Sequence, residues 1–319
     1  MSLLDVRDLS LHIGDLAILD RVSLRQEAGT IAGLVGESGC GKSMTALSIM
    51  GLLPRGARLD GTVLFDGEDL LSLSEREMCA VRGRRIAMIF QEPTTALNPV
   101  MTIGAQIAEG IALHLDLDAA ETDRRVCAAM QRVGLPVARF SPDLYPHQLS
   151  GGQRQRVMIA MALATEPALL IADEPTTALD VAIQIDVLRL LRGIVRESAM
   201  TLLLITHDLG VIAGMCDRLA VMYAGRVVEE GPTEEVFAHL AHPYTRALVA
   251  AVPQPEARAG RLPTIGGSVP GPGPAIVADA CTFADRCPFV TGVCRETRPP
   301  LAAIRPGHAV ACYHPRHEG

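Results

Sequence analysis

A glycine-rich stretch that holds the only lysine of the chain is the first feature that could do chemistry. It reads VGESGCGKSM, residues 35–44, and its Lys42 is alone among 29 lysine and arginine residues. The spacing fits G-x-x-x-x-G-K-[ST] after a predicted strand and before a predicted helix, a context typical of a phosphate-binding P-loop. A compact ammonium fits inside such a loop, whereas the planar fork of a guanidinium needs a different pocket.

This predicted P-loop would bind a nucleotide through its backbone and two side chains. Its N–H groups would point at phosphate oxygens, Lys42 would reach the β- and γ-phosphates, and Ser43 would ligate Mg²⁺. Cys40, at a helix start, is expected to have a lowered pKa, although its simpler interpretation is a small filler of the loop. The nucleotide-binding residues predicted here are Gly36, Glu37, Ser38, Gly39, Cys40, Gly41, Lys42 and Ser43.

Two adjacent carboxylates end an apolar run, ALLIADEP, at residues 168–175. Asp173, at the carboxyl end of a predicted strand, could hold Mg²⁺, usually through water. Glu174 could polarise the attacking water as a general base. An isolated Asp-Glu pair is more often a solvated turn, but the P-loop in the same chain favours phosphate chemistry.

The stretch LSGGQRQR, residues 149–156, predicts a second anion site. Ser150, Gly151, Gly152 and Gln153 would open a helix, whose bare N–H groups and positive dipole end attract an anion. Two phosphate-binding helix ends in one chain indicate that two subunits share each nucleotide.

Alternating elements must position these residues. Short apolar runs at residues 30–36, 85–90, 168–173 and 201–208 are typical of buried parallel strands, and helical patterns lie between them, so we predict an α/β fold. We predict a nucleotide-binding domain at 1–252 with a helical subdomain at about 94–164, a Pro/Gly-rich linker at 253–280 and a small Cys-rich extension at 281–319.

The charge and hydropathy of the chain exclude some classes of protein. The chain has 319 residues and a net charge of −7 without a basic run, which argues against a nucleic-acid binder. No uncharged stretch reaches the roughly 20 apolar residues that a membrane span needs. The first residues, MSLLDVRDLS, do not resemble a secretory signal, which favours the cytosol.

Six motifs together resemble those of ABC-type ATPases, in order and in spacing, from about residue 3 to residue 253. They are the P-loop, IFQEP with Gln91, LSGGQ, LLIADEP, TALD and ITHD with His207. The resemblance implies an α/β P-loop NTPase fold and a head-to-tail dimer in which the P-loop of one subunit and the SGGQ of the other clamp ATP.

The resemblance also implies roles for single residues. Gln91 would contact Mg²⁺ and sense a membrane partner, Asp180 would lie at the dimer interface, and His207 would contact the γ-phosphate. The family usually stacks adenine on an aromatic residue near the N-terminus, but the first aromatic residue here is Phe65. His12 or Ile13 is at about the expected position.

The C-terminal part resembles the tail of dipeptide and oligopeptide importer ATPases. The resemblance rests on GPTEEVFAHLAHPYTRALVAAVP from residue 231, CTFADRCPFVTGVCRETRPPL from residue 281 and GHAVACYH from residue 307. It implies an ATP-hydrolysing subunit of a peptide importer, peripheral on the cytoplasmic face of the inner membrane. Its partners would be two permease subunits, a second ATPase subunit, identical or different, and an extracytoplasmic solute-binding protein. A nickel or metal-chelate importer ATPase and a soluble ABC ATPase without transport function are the alternatives.

Four cysteines of the C-terminal segment could share a ligand. Cys281, Cys287, Cys294 and Cys312 have the spacing C-x5-C-x6-C-x17-C. Close C-x2–4-C pairs, which zinc sites usually use, are missing, whereas the spacing of iron–sulfur ligands varies more. The resemblance implies a [4Fe–4S] cluster, with zinc and unligated thiols as alternatives. The histidines of this part, which are His239, His242, His308, His314 and His317, are interpreted as surface or structural residues.

Overall fold

A computed structural model of the chain describes residues 2–177, 179–252, 264–273, 276 and 279–315. These residues form two compact units. The first comprises the described residues within 1–27, 31–71 and 205–319, and the second comprises those within 28–30 and 72–204. Among the helices of these described ranges, none is long and apolar enough to cross a membrane.

The strands and helices of the described residues follow one another along the chain. The strands are β1 (Ser2–Ile13), β2 (Leu16–Glu27), β3 (Ile31–Val35), β4 (Ala57–Phe65), β5 (Glu68–Asp69), β6 (Ile86–Ile89), β7 (Leu169–Asp173), β8 (Thr201–Thr206), β9 (Arg218–Tyr223), β10 (Arg226–Pro232), β11 (Ala302–Arg305) and β12 (His308–Val310). The helices are α1 (Lys42–Ile49), α2 (Glu75–Val81), α3 (Pro93–Ala96), α4 (Ile103–His114), α5 (Ala119–Arg132), α6 (Gly151–Leu163), α7 (Val181–Glu197), α8 (Leu209–Met215), α9 (Thr233–His239), α10 (Pro243–Ala250) and α11 (Gly292–Glu296).

The first unit contains an antiparallel sheet in the order β2-β1-β4-β5. β1 buries Leu4 and Val6 and, beyond a shift in its register, Leu9 and Leu11. Because successive side chains of a strand point to opposite faces, each of these two stretches buries one face of the strand.

A second set of strands in the first unit carries the P-loop and receives the C-terminal segment. β3 is parallel to β9, and β9 pairs with the antiparallel β10. β12 extends this sheet by pairing with β10, and β11 pairs with β12. The C-terminal segment is therefore tied to the first unit through backbone hydrogen bonds.

The second unit consists mainly of helices around parallel strands. β6 and β7 are parallel, and every residue of both strands is buried. Four of the helices of this unit, α3 to α6, lie in the range that the sequence predicts to be mostly helical. Strands buried on both faces read as continuous apolar runs, which is why the sequence located β6 and β7 within one or two residues.

The structure confirms the predicted α/β fold with a P-loop. The predicted division into domains stays a prediction, since residues 253–263 of the predicted linker lie outside the described residues.

Candidate functional site

The P-loop connects β3 to α1 in the first unit. Lys42 is 5% exposed, and its Nζ donates hydrogen bonds to the backbone oxygens of Gly36, at 2.8 Å, and Glu37, at 3.1 Å. α1 begins at Lys42, and its N-cap residue, Gly41, makes no side-chain cap hydrogen bond. The ammonium is thus held inside the loop by two backbone oxygens, beside a helix start whose positive dipole end attracts anions such as phosphate.

Three glycines of the P-loop are required for different reasons. A Cβ at Gly36 would lie 2.1 Å from the carbonyl oxygen of Met222, which real side chains cannot do. Gly41 has a φ of 106°, and a Cβ there would lie 2.7 Å from Leu19 Cδ2. Gly39 has a φ of 80° but open space within 4 Å, so its backbone is accessible to a phosphate.

Cys40 differs from its predicted state. Its side chain is 1% exposed, and burial raises the pKa of its thiol, with the charge of Lys42 acting in the opposite direction. The expectation of a lowered pKa at this helix start is therefore wrong, because desolvation of the thiolate outweighs the helix end and the ammonium. Cys40 fills space next to Gly36, as its simpler interpretation has it.

An arginine of the C-terminal segment holds the P-loop at Glu37. Arg286 Nη1 donates to Glu37 Oε2 at 2.8 Å, and Nη2 donates to Oε1 at 3.0 Å. The Arg286 side chain is 5% exposed, and its hydrogen bonds to Glu37 raise the pKa of the guanidinium. The backbone N–H of Glu37 also donates to Tyr244 Oη at 2.9 Å. Both ends of this P-loop residue are therefore held from outside the loop.

Aromatic rings pack around Arg286 and Tyr244, the two partners of Glu37. Tyr223 and Tyr244 meet edge to face with ring centroids 4.6 Å apart, and Phe283 packs against both at 5.2 and 5.4 Å. The guanidinium of Arg286 lies over the Tyr223 ring, 5.6 Å from its centroid. Rings packed in this way restrict the rotamers of Arg286 and Tyr244.

Replacing Arg286 with glutamine is expected to raise the KM for ATP by about threefold to tenfold and to change kcat by less than about twofold. Glu37 is partly exposed, so its pairing with Arg286 contributes on the order of 1 kcal/mol. Losing it would loosen the P-loop without removing a group that touches the nucleotide. Steady-state ATP hydrolysis measures the two constants separately.

Arg295→Gln is the matched control for this change. Arg295 lies in the same segment and pairs with Asp285 at 2.7 Å, but both side chains are exposed. Exposed pairs contribute little, so this variant should behave like the wild type. A double-mutant cycle with Glu37→Gln measures the coupling directly, and equal KM values for Arg286→Gln and Arg295→Gln would refute the role of Arg286.

The second unit places Gln91 and Glu174 in direct contact. Gln91 Nε2 donates to Glu174 Oε2 at 3.0 Å, and Thr177 Oγ1 donates to the same oxygen at 2.8 Å. Glu174 follows β7 directly and has a φ of 45°, in the left-handed region that non-glycine residues seldom adopt. Strained residues of this kind cluster at functional sites, so the outlier supports a chemical role for this carboxylate. Asp173, at the end of β7, is buried.

The predicted second anion site is the start of α6. Ser150 is the N-cap residue, and its Oγ and the Gln153 side chain form a capping box. Ser150 and Gly151 are exposed, so this helix end is open to a partner. Gly152 is buried, and a Cβ there would lie 2.7 Å from Ile183 Cγ2, so this glycine also permits the packing of α6 on α7.

The remaining predicted residues lie at the ends of elements. Asp180 is the exposed N-cap residue of α7, and Ala178 beside it in the motif lies outside the described residues. His207 is exposed and follows β8. His12 and Ile13 are half-buried at the end of β1, and their role in adenine binding stays a prediction.

The four cysteines of the C-terminal segment line one small apolar pocket together with Phe283, Phe289 and Pro299. Burial raises the pKa of Cys281, and it raises that of Cys312 to about 11. The sulfurs of Cys287 and Cys312 accept backbone hydrogen bonds at 3.4 Å from Phe289 and His314. In this pocket the four cysteine side chains pack as small apolar groups.

Sequence reasoning missed Arg286 and Tyr244, the residues that hold the P-loop. Arg286 and Glu37 are 249 positions apart, and nothing in the sequence around either residue indicates the other. Tyr244 lies in a stretch, HPYTRAL, whose signal in the sequence is its resemblance to importer tails.

Comparisons with known proteins agree with this geometry. The ABC transporter family profile matches residues 19–177, and the profile of the oligopeptide/dipeptide transporter C-terminal region matches residues 228–294. The first match includes the P-loop and the Glu174 turn. The second includes Tyr244 and Arg286.

Curated relatives match over nearly their whole length. A probable peptide ABC transporter ATP-binding protein of Sinorhizobium fredii is 50% identical, over 98% of this chain and 94% of the relative. The oligopeptide transport ATP-binding protein OppD of Salmonella typhimurium is 43% identical, over 99% of this chain and 95% of the relative. Among solved structures, the dimeric ATP-binding cassette MJ0796 with ADP and Pi bound has a TM-score of 0.64 at 26% identity, over 72% of this chain and 98% of that chain.

The prediction of an iron–sulfur cluster on the four cysteines is contradicted. Relatives that align over nearly the whole chain are named for ATP binding and transport, and their names include no cluster. Within the described ranges, these cysteines are also outside the group of side chains that could hold a metal ion.

The family follows from the agreement of sequence, fold and relatives. The P-loop glycines and Lys42 have the geometry of a phosphate-binding loop, and relatives with 43–50% identity cover the chain almost completely. The C-terminal match distinguishes one branch from the many ABC proteins that share the cassette alone. This chain therefore belongs to the ABC transporter ATP-binding proteins, in the branch that carries the oligopeptide/dipeptide transporter C-terminal region.

Proposed function

We propose that this chain hydrolyses ATP to ADP and phosphate and thereby drives the import of dipeptides or oligopeptides. The observation that carries the proposal is a P-loop with a buried Lys42 in a chain that matches peptide transport ATP-binding proteins along nearly its whole length. The match includes the C-terminal region, which a cassette of unrelated function would not need.

Each residue has a role in the proposed reaction. Lys42 and the backbone N–H groups of the P-loop bind the phosphates and balance the negative charge that develops on them. Glu174 accepts a proton from the attacking water, and Gln91 orients Glu174 through their hydrogen bond. His207 contacts the γ-phosphate in this proposal.

The donor set fits Mg²⁺ as the metal that accompanies ATP. Mg²⁺ prefers hard oxygen ligands, and Ser43, Asp173 and Gln91 offer a hydroxyl, a carboxylate and an amide oxygen. When bound, the ion would neutralise charge on the β- and γ-phosphates.

The exposed start of α6 favours a dimer of ATPase subunits. In the proposed head-to-tail dimer, Ser150, Gly151, Gly152 and Gln153 of one subunit bind the γ-phosphate of ATP held by the P-loop of the other. Asp180 lies at the interface of this dimer. The dimeric state of the cassette bound to ADP and Pi supports the arrangement, with either an identical or a different second subunit.

Peptide import requires partners that cross the membrane. We infer that this subunit is peripheral on the cytoplasmic face of the inner membrane and binds two permease subunits, to which the Gln91 region transmits nucleotide-driven movement. An extracytoplasmic solute-binding protein delivers the peptide to these permeases. The names of the relatives favour peptides over nickel or metal chelates as the solute.

Uptake in the source organism tests the cargo. We expect that deleting the gene abolishes uptake of radiolabelled dipeptides or oligopeptides and leaves ⁶³Ni²⁺ uptake unchanged. The wild-type gene should restore peptide uptake, whereas a Glu174→Gln gene should not. Asp186→Asn, an exposed carboxylate of α7, is the matched control and should restore uptake fully. Unchanged peptide uptake together with lost nickel uptake would overturn the assignment.

A further inference from the structure

Two histidines and a glutamate converge where α9 meets β12. Glu235 and His239 are one turn apart on α9, and His308 is the first residue of β12. One potential ligand atom from each of the three side chains lies within 4.8 Å of the other two. All three residues belong to the first unit, and none of them is part of the P-loop.

A buried carboxylate, Glu229, holds the ring of His308 through a hydrogen bond. His308 is completely buried, and its Nε2 lies 2.8 Å from Glu229 Oε1. Glu229 also accepts hydrogen bonds at 2.9 Å from the backbone N–H groups of Ala241 and His242. Both carboxylate oxygens of Glu229 thus act as acceptors, so Nε2 of His308 carries the proton and donates it to Oε1.

The other nitrogen of His308, Nδ1, therefore has a lone pair. Nδ1 is buried and has no hydrogen-bond partner among the residues that the structure describes. A buried polar atom without a partner costs free energy, on the order of 1 to 3 kcal/mol. A metal ion on Nδ1 would remove this cost, and a carboxylate that fixes the opposite nitrogen is the usual support of a metal-binding histidine.

His239 has its tautomer fixed in the same way. Its Nδ1 lies 2.8 Å from the backbone oxygen of Glu235, which only accepts, so Nδ1 carries the proton and Nε2 has the lone pair. The rings of His239 and His308 have centroids 6.0 Å apart. The Glu235 side chain is about half exposed, which leaves a path for an ion from solvent.

We propose that Glu235, His239 and His308 bind a divalent transition-metal ion with a preference for nitrogen and oxygen ligands, such as Zn²⁺ or Co²⁺. Two imidazoles and one carboxylate are a common zinc ligand set that leaves a position for water. The ion would join α9 to β12, and so anchor the C-terminal segment that carries Arg286. This site is separate from the nucleotide chemistry and does not depend on the proposed peptide cargo.

The sequence predicts surface or structural roles for these histidines, because no pair of them has the i, i+4 spacing of a helical metal site with a third ligand nearby. The structure shows that Glu235 and His239 do have this spacing and that β12 supplies the third ligand. The partners are 69 and 73 positions apart from His308, so only the pairing of β12 with β10 brings them together.

A Co²⁺ titration of the full chain tests the site. We expect one bound Co²⁺ with weak d–d absorption and without the intense thiolate-to-cobalt charge transfer that binding to cysteines would produce. His239→Gln and Glu235→Gln, both at partly exposed positions, should each weaken binding by at least about tenfold. Glu234→Gln, the exposed neighbour on α9, and His314→Gln, a histidine elsewhere in the C-terminal segment, are the matched controls and should bind as the wild type does.

Thermal unfolding supplies a second readout. Saturating Zn²⁺ should raise the unfolding midpoint of the wild type and of both control variants, and much less that of His239→Gln. The proposal is overturned if the wild type binds no Co²⁺, if only charge-transfer bands appear, or if His239→Gln binds as tightly as the wild type. None of these outcomes bears on ATP hydrolysis, which is tested separately.

Discussion

Replacing Glu174 with glutamine is expected to leave ATP affinity nearly unchanged and to lower kcat for ATP hydrolysis by at least about a hundredfold. Glutamine keeps the size of the side chain, and its amide oxygen can still accept the hydrogen bond from Thr177 Oγ1. It cannot accept the proton of the attacking water. The loss should therefore appear in the chemical step alone, since ATP binding depends on the P-loop.

The measurement combines steady-state hydrolysis with equilibrium binding of a fluorescent ATP analogue. Asp186→Asn makes the same carboxylate-to-amide change on the exposed face of α7 and should retain full activity. Normal turnover in Glu174→Gln would remove Glu174 as the general base. Loss of binding in that variant would instead indicate that the change disturbs the fold around β7.

Replacing Lys42 with arginine is expected to weaken ATP binding by at least about tenfold, nearly as much as Lys42→Met. Charge-assisted hydrogen bonds contribute about 1.5 to 3 kcal/mol each, and the ammonium can supply more than one to the phosphates. Lys42 is 5% exposed, and its Nζ fits between the backbone oxygens of Gly36 and Glu37. A guanidinium keeps the charge, but its width and fixed donor directions do not match this cavity.

The reverse change at a surface position is the control for Lys42→Arg. Arg58 is exposed and donates one hydrogen bond to the backbone oxygen of Gly14. Arg58→Lys should therefore leave ATP binding unchanged, which would show that the effect belongs to position 42. If Lys42→Arg binds ATP as tightly as the wild type, the positive charge at position 42, and not the shape of the side chain, determines ATP affinity.

Much of the fold could be predicted from local sequence patterns. β6 and β7 are short apolar runs because both faces of each strand are buried, and this pattern is visible without knowing the neighbours. The helical patterns predicted between the strands include the stretches that form α6 and α7. The division into two units could not be predicted in this way, because each unit combines segments that are far apart in the sequence. Residues 28–30 belong with residues 72–204, and residues 205–319 belong with residues 1–27 and 31–71.

The cysteines and Cys40 show where local patterns misled. Four cysteines in a short segment suggested a shared cluster, and a thiol at a helix start suggested a lowered pKa for Cys40. The structure buries Cys40 and Cys294 and leaves Cys281, Cys287 and Cys312 half-buried. Desolvation raises the pKa of Cys40, Cys281 and Cys312. Burial depends on what the rest of the chain packs against a residue, which spacing alone does not reveal.

The sequence by itself determined the phosphate-binding loop, because its function depends on consecutive residues: glycines where a Cβ would collide, one lysine, and the start of a helix. Only the tertiary structure decided what holds that loop and what else the chain can bind. Arg286 reaches Glu37, and His308 reaches His239 and Glu235, through contacts between segments far apart in the chain. Such contacts arise from strand pairing and side-chain packing, which no short stretch of sequence specifies.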